Sequence, residues 1–185
     1  MIKLNLGCGN KVKEGYVNID SYWHDNINIM ANLENYPWHY EDNSVDEIYA
    51  SHIIEHFQDE KKFLTECMRI LKYNGTLHII APHSSSPSNI GCMGHYRTYS
   101  YNYFKNLLST PSYIYTTIKF KTIYQKVNWW YEKTGCNVPL WMRPFLYVNN
   151  KVISYFINLA PEVFENLWWA YVGGAKEVEW TGVKR

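Results

Sequence analysis

Short apolar runs alternate with amphipathic stretches along the first hundred residues. Ile2-Lys3-Leu4-Asn5-Leu6 places apolar side chains at alternate positions, and Gly7-Cys8-Gly9 then breaks the run with residues that permit a tight turn. The pattern predicts strands over residues 2–6, 16–20, 27–30, 45–50 and 76–81, the last ended by Pro82. Over residues 59–71, Phe63, Leu64, Cys67, Met68 and Leu71 recur at helical spacing, which predicts a helix with one apolar face, stopped by Asn74-Gly75. Strands alternating with helices imply a parallel sheet whose ligand sits at the carboxyl ends of the strands. Ten residues lie between Gly9 and Asp20, too few for a full crossover helix, so the first helix is expected to be missing or reduced.

The second half is less regular. His83-Ser84-Ser85-Ser86-Pro87-Ser88-Asn89 is rich in turn formers and reads as a lid over the site. A short helix is predicted over residues 100–108, and the β-branched and aromatic stretches 114–127 and 175–183 read as a closing hairpin. Between them, an insert over residues 128–174 carries Trp129, Trp130, Trp141, Trp168 and Trp169, with helices predicted over 148–159 and 162–172. The tryptophan pair at 168 and 169 reads as core or interface and receives no site assignment.

Composition narrows the functional classes. Hydrophobic residues make up 46% of 185, which suits one core and one domain over residues 1–185. Eighteen basic residues against seventeen acidic ones create no strong field toward nucleic acid or an anionic membrane. Cys8, Cys67, Cys92 and Cys136 are scattered and form no disulfide framework, so a reducing cytoplasm is the expected location. Met1 leads straight into the first apolar run without a basic segment or cleavage site, and no apolar run approaches the roughly 20 residues of a membrane span.

Four segments carry a family resemblance by their order and spacing. These are Leu4-Asn5-Leu6-Gly7-Cys8-Gly9, then Asp20, then residues 44–56 (SVDEIYASHIIEH), then residues 69–77 (RILKYNGTL). Together they resemble class I S-adenosylmethionine (SAM)-dependent methyltransferases over about the first 100 residues. The resemblance implies an α/β, Rossmann-like, mostly parallel seven-stranded sheet of order 3-2-1-4-5-7-6, with the last strand antiparallel and helices on both faces. The shortened first connection followed by Gly15-Tyr16-Val17-Asn18-Ile19-Asp20 is similar to a subset of small methyltransferases often encoded among glycan-modifying genes.

The cofactor's chemistry fits the same residues. Gly7, Cys8 and Gly9 would bring backbone amides against the methionine portion, and Asp20 would accept hydrogen bonds from the ribose hydroxyls. The resemblance places Asn32-Leu33 beside adenine, where the family carries Asp-Leu, and Ser51 at the cofactor side of the fourth strand. A dinucleotide site would require a third glycine where Val12 stands. His52, just past the fourth strand, faces the transferable methyl in the family and is the first candidate for a catalytic or acceptor-orienting group, with His95 the second. His83, Arg97 and Tyr99 are candidates for acceptor binding, Arg97 through a bidentate grip on a carboxylate or phosphate.

His52-Ile53-Ile54-Glu55-His56 also fits the HxxEH pattern of inverted zinc peptidases. With no separate helix carrying a third ligand in view, no metal site is assigned. The resulting expectation is a SAM-dependent O- or N-methyltransferase acting on a small-molecule or sugar (glycan) acceptor and releasing S-adenosylhomocysteine. Nucleic acid is not the expected partner, and the aromatic C-terminal region is a candidate homo-oligomer surface. Two rivals stand beside it. One is a SAM-binding regulatory or partner protein without turnover; the other is an RNA methyltransferase, for which Lys119, Lys121 and Lys126 supply a thin basic stretch.

Overall fold

The computed structural model describes residues 1–86, 92–109, 120–128, 143–165 and 175–185. Seven strands form one sheet: β1 (Lys3–Leu6), β2 (Val17–Asp20), β3 (Ile29–Met30), β4 (Val45–Ser51), β5 (Leu71–Pro82), β6 (Phe120–Asn128) and β7 (Glu177–Lys184). Their order is β3-β2-β1-β4-β5-β7-β6, as the resemblance implied. Neighbours from β3 to β5 pair in parallel, while β7 runs antiparallel to both β5 and β6. Four helices follow in chain order: α1 (Glu60–Ile70), α2 (Tyr101–Ser109), α3 (Arg143–Leu159) and the short α4 (Pro161–Val163). No helix among the described residues is long and apolar enough to cross a membrane.

Strand alternation builds the core. Leu4, Leu6, Ile19, Ile48, Ala50, Leu77, Ile79, Val178 and Trp180 point to one side and pack against Phe63, Leu64, Cys67 and Ile70 of α1 and Phe104 of α2. Asp59 caps α1 by accepting a hydrogen bond from the Lys62 amide. The helix does not reach Asn74-Gly75, where it was expected to stop. It passes at Leu71 directly into β5, and Asn74 takes a φ of 63° inside the strand, where the register against β4 shifts between Val45 and Glu47. Pairing with β4 outweighs the turn tendency of Asn-Gly, which survives as a bulge. Part of the aromatic insert, including all five of its tryptophans, lies outside the described residues, as do residues 114–119 of the expected hairpin, the end of the serine-rich lid, and 166–172 of the last expected helix.

No α-helix precedes Glu60, so all three connections among β1 to β4 are loops. The expected loss of the first helix is therefore met, and the second and third crossovers lack helices too. Polar groups take over the work. The buried Asn5 amide donates to Asn18 Oδ1 at 2.8 Å and to the Lys11 carbonyl at 3.0 Å; Asn18 Oδ1 also accepts from the Lys13 amide at 2.8 Å. The Asn18 amide nitrogen in turn donates to Lys13 O and Asn28 Oδ1, both at 3.2 Å. Over the neighbouring strands, Lys13 lies over the Tyr49 ring at 4.0 Å, Tyr49 stacks on His78, and Lys3 pairs with Glu47. These side chains alternate with the core residues and so dress the opposite face of the sheet.

Replacing Asn18 with Ala removes the partner of a buried Asn5 amide and of the Lys13 backbone. We expect Asn18→Ala to lower stability by roughly 2–4 kcal/mol in chemical denaturation, most of it from groups left buried and unsatisfied. A loss below about 0.5 kcal/mol, the usual range of a neutral surface change, rules out this network as the substitute for the missing helix.

Candidate functional site

The carboxyl ends of β1 to β4 open onto a cleft enclosing about 490 Å³ of space open to solvent. Four residues singled out in the sequence meet there: Gly7, Asp20, Asn32 and Leu33. Gly7 has a φ of 60°, and a Cβ at this position would lie 2.6 Å from the Ile53 side chain, so only glycine fits. Asp20 ties the first loop to the second: one carboxylate oxygen accepts from the Gly9 amide at 2.8 Å and the other from the Tyr22 amide at 3.1 Å. Asn32 is both a turn residue and a lining residue, since its Oδ1 accepts from the Glu34 amide at 2.9 Å. Leu33 is anchored by its carbonyl, which receives the Trp38 indole N–H at 3.0 Å.

Cys8 and Ser51 stand beside this cleft without lining it. The Cys8 amide bonds to the Ile19 carbonyl at 3.1 Å, and burial pushes its thiol pKa up, so the thiol stays protonated. Ser51 is the last residue of β4. The sequence did not single out Ser21, Glu34, Ile53 and Phe57, which also line the cleft, and marked His56 only as part of the HxxEH pattern. Ile53 and Phe57 were legible only as apolar positions after β4.

At the end of β4 the chain bends sharply. His52 takes a φ of 54°, a left-handed conformation that costs a residue with a Cβ about 1–2 kcal/mol, and its amide is held by the Ile80 carbonyl at 2.8 Å. Its ring lies between two acids, with Nε2 3.1 Å from Glu177 and Nδ1 3.6 Å from Glu55. These carboxylates, Glu177 above all, hold the imidazole protonated and push its pKa up to about 9, against the pull of burial. Glu177 comes from β7, 125 residues away.

A single 3-10 turn, Ile54–His56, follows, and the segment around His95 is fastened onto it. The Tyr96 amide donates to the Glu55 carbonyl at 2.8 Å, His56 Nδ1 lies 3.0 Å from the Gly94 carbonyl, and the His56 and His95 rings meet edge to face at 4.8 Å. Arg97 bonds to the Phe57 and Gln58 carbonyls at 3.1 and 2.9 Å, with Glu60 at 3.6 Å. Its guanidinium thus fastens backbone to backbone, in place of the open grip expected. Tyr99 is fully buried, its hydroxyl donating to Glu60 at 3.1 Å.

His83 is buried too. Its Nδ1 accepts from the Ser85 amide at 3.1 Å and its Nε2 faces Glu165 at 3.2 Å. Although burial opposes it, hydrogen bonds from His83 and from the Tyr101 and Asn102 amides keep the Glu165 carboxyl below the usual range. The structure therefore brings His52 and His95 to the region of the cleft, while His83 and Tyr99 lie inside the fold.

In an NMR titration, the His52 ring should have a midpoint near pH 9, and Glu177→Gln should move it toward the ordinary 6.5. Because the folded value lies above the unfolded one, the pair's stabilisation is complete below about pH 6.5 and is lost as pH rises through about 9. A wild-type midpoint at 6.5 would show that the pairing does not form.

Residues 9–79 match the family described as a methyltransferase domain. No curated protein sequence matches the chain. Its structure is similar to a SAM-dependent methyltransferase from Archaeoglobus fulgidus, at 17% identity over 98% of this chain and 85% of that one, with a TM-score of 0.60. A second SAM-dependent methyltransferase, from Mesorhizobium loti, is similar at 12% identity over 99% and 90% of the two chains, with a TM-score of 0.53. The cyclase SpnF shares the fold as well, at 12% identity over 98% of this chain and 73% of its own, with a TM-score of 0.52. At such identities the likenesses speak for the fold. The domain match runs from Gly9 through Asp20, β4 and α1 into β5, and the strand order gives this chain the fold of the SAM-dependent methyltransferases it is similar to.

Proposed function

We propose that the chain transfers a methyl group from S-adenosylmethionine to a hydroxyl or amine of a small acceptor, a sugar or another small molecule. The convergence of the Gly7 turn, Asp20 and Asn32-Leu33 on one cleft, with His52 at the next strand end, carries this reading. The residues suit the cofactor. The left-handed turn at Gly7 would let backbone amides approach a carboxylate. Each Asp20 oxygen accepts one amide and retains a lone pair for a ribose hydroxyl. Asn32 and Leu33 supply an amide and an apolar flank for adenine, and Ile53 and Phe57 complete the apolar wall.

Bound in the cleft, S-adenosylmethionine supplies an electrophilic methyl group on its sulfonium. The protein's own task is to align an acceptor in line with that methyl and exclude water. His52, fixed by Ile80 and Glu177, is assigned to acceptor orientation, and His95 flanks the same end of the site. Arg97, Tyr99 and His83 act on the acceptor side indirectly, by holding the loops in place. A small acceptor, not a polyanion, is favoured by the basic residues. Lys3, Lys72, Lys126 and Arg69 each lie in an ion pair with an acid of the same chain. The α3 stripe Val148, Val152, Tyr155, Phe156 and Leu159 is exposed, in keeping with self-association through the C-terminal region.

Calorimetry should give one SAM per chain and no NAD binding. Asp20→Ala should weaken SAM by about 1–3 kcal/mol, the cost of losing hydrogen bonds to a charged group. An unchanged affinity would put the ribose elsewhere.

His52→Ala should leave SAM affinity within about twofold of wild type while single-turnover methyl transfer falls by roughly 10- to 100-fold. Equal rates would remove His52 from the acceptor site. SAM binding without transfer to any member of a hydroxyl and amine acceptor panel would sink the transfer reading in favour of a cofactor-binding protein.

A further inference from the structure

Glu55 stands apart among the acids of the described residues. Its side chain is fully buried, and neither carboxylate oxygen accepts a hydrogen bond. The nearest basic contact is His52 Nδ1 at 3.6 Å, beyond hydrogen-bond range. Burying a carboxylate with its lone pairs unused costs free energy, and the basic group nearest it, His52, pairs at shorter range with Glu177, so the position suits a further cation. Two imidazoles face it: ligand atoms of Glu55, His56 and His95 all lie within 4.8 Å of one another.

The surroundings of His56 are those of a metal ligand. Its Nδ1 donates to the Gly94 carbonyl at 3.0 Å, which fixes the tautomer and leaves Nε2 with its lone pair. The same segment brings in His95, because Tyr96 N–H···O=C Glu55 and the Arg97 bonds to Phe57 and Gln58 pin residues 94–97 across the 3-10 turn.

We propose that Glu55, His56 and His95 bind one divalent first-row transition-metal ion at the edge of the cleft. Two imidazoles and one carboxylate suit Zn²⁺, Mn²⁺ or Fe²⁺ better than Mg²⁺ or Ca²⁺, which take oxygen ligands. Ligands about 2.1 Å from a tetrahedral ion lie about 3.4 Å apart, so a small adjustment of the side chains closes the site. Three protein ligands leave coordination positions open. His56 also lines the cleft, so an acceptor hydroxyl could occupy one of them and give up its proton more readily; that last role rests on the proposed methyl transfer, the ion site does not.

The HxxEH pattern reappears here in another form. A helix would have paired His52 with His56, but the left-handed His52 turns its ring to Glu177, and the second histidine comes from position 95. Cys8, Asp20 and His24 also cluster, yet both Asp20 oxygens already accept backbone amides, unlike those of Glu55, which makes that group the control.

The test is titration of the metal-stripped full chain, without cofactor, with Co²⁺ followed by visible absorption and with Zn²⁺ followed by calorimetry. One ion per chain is expected, with a Kd below about 10 µM, a value typical of a three-ligand protein site. Glu55→Gln and His95→Ala should each weaken binding at least tenfold, consistent with loss of one ligand, and His24→Asn should leave it unchanged. Should Glu55→Gln fail to fold, His95→Ala on the surface segment decides alone. Absence of binding, binding indifferent to both substitutions, or binding abolished by His24→Asn overturns the proposal. Because no cofactor or acceptor enters the titration, its result is separate from that of the methyl-transfer tests.

Discussion

The cofactor half of the molecule depends on a buried side-chain amide. Asn18 bonds to Asn5, to both backbone groups of Lys13 and to Asn28, and so closes the loop that replaces a crossover helix between β1 and β2. A helix would have satisfied its own backbone; a short loop over a sheet must borrow partners from side chains. This borrowing fixes where the chain leaves β1 and re-enters β2. The Gly7 turn follows β1 and Asp20 closes β2, and the Gly9 amide bridges the two strand ends through the Asp20 carboxylate.

Economy on one face of the sheet has a counterpart in the density of links on the other half. His52 is drawn to Glu177 from β7, and the His95 segment is sewn to the turn after β4 by His56, Tyr96 and Arg97. His83 and Glu165 fasten the end of β5 to the start of α2. Each link joins residues distant in sequence. The surroundings of His52 and His95 are thus assembled by tertiary contacts, and the cleft beside Gly7 and Asp20 by neighbours within the first 60 residues.

The division suits a fold that hosts more than one chemistry. The same architecture carries two SAM-dependent methyltransferases and a cyclase among the similar structures. Past β4 this chain carries a histidine in a left-handed conformation, a buried acid without hydrogen bonds, and two further histidines beside it.

The parallel core and the lost first helix were legible in the sequence, because apolar alternation, glycine turns and connection length are local quantities; the strand order came from the family resemblance. Gly7 and Asp20 were legible as strand-end residues, and the resemblance added Asn32 and Leu33 to the same cleft. The bounds of α1 were read to within a residue, but Asn-Gly was taken as its stop because the pair signals a turn wherever it occurs, and only pairing with β4 turned it into a bulge. Tertiary structure alone decided that His83 and Tyr99 lie buried and that Arg97 clasps carbonyls. It alone brought Glu177 to His52 and His95 to His56. The reason is physical: sequence periodicity reports which face of an element is apolar, whereas the environment of a polar side chain is set by whatever distant segment the fold lays against it.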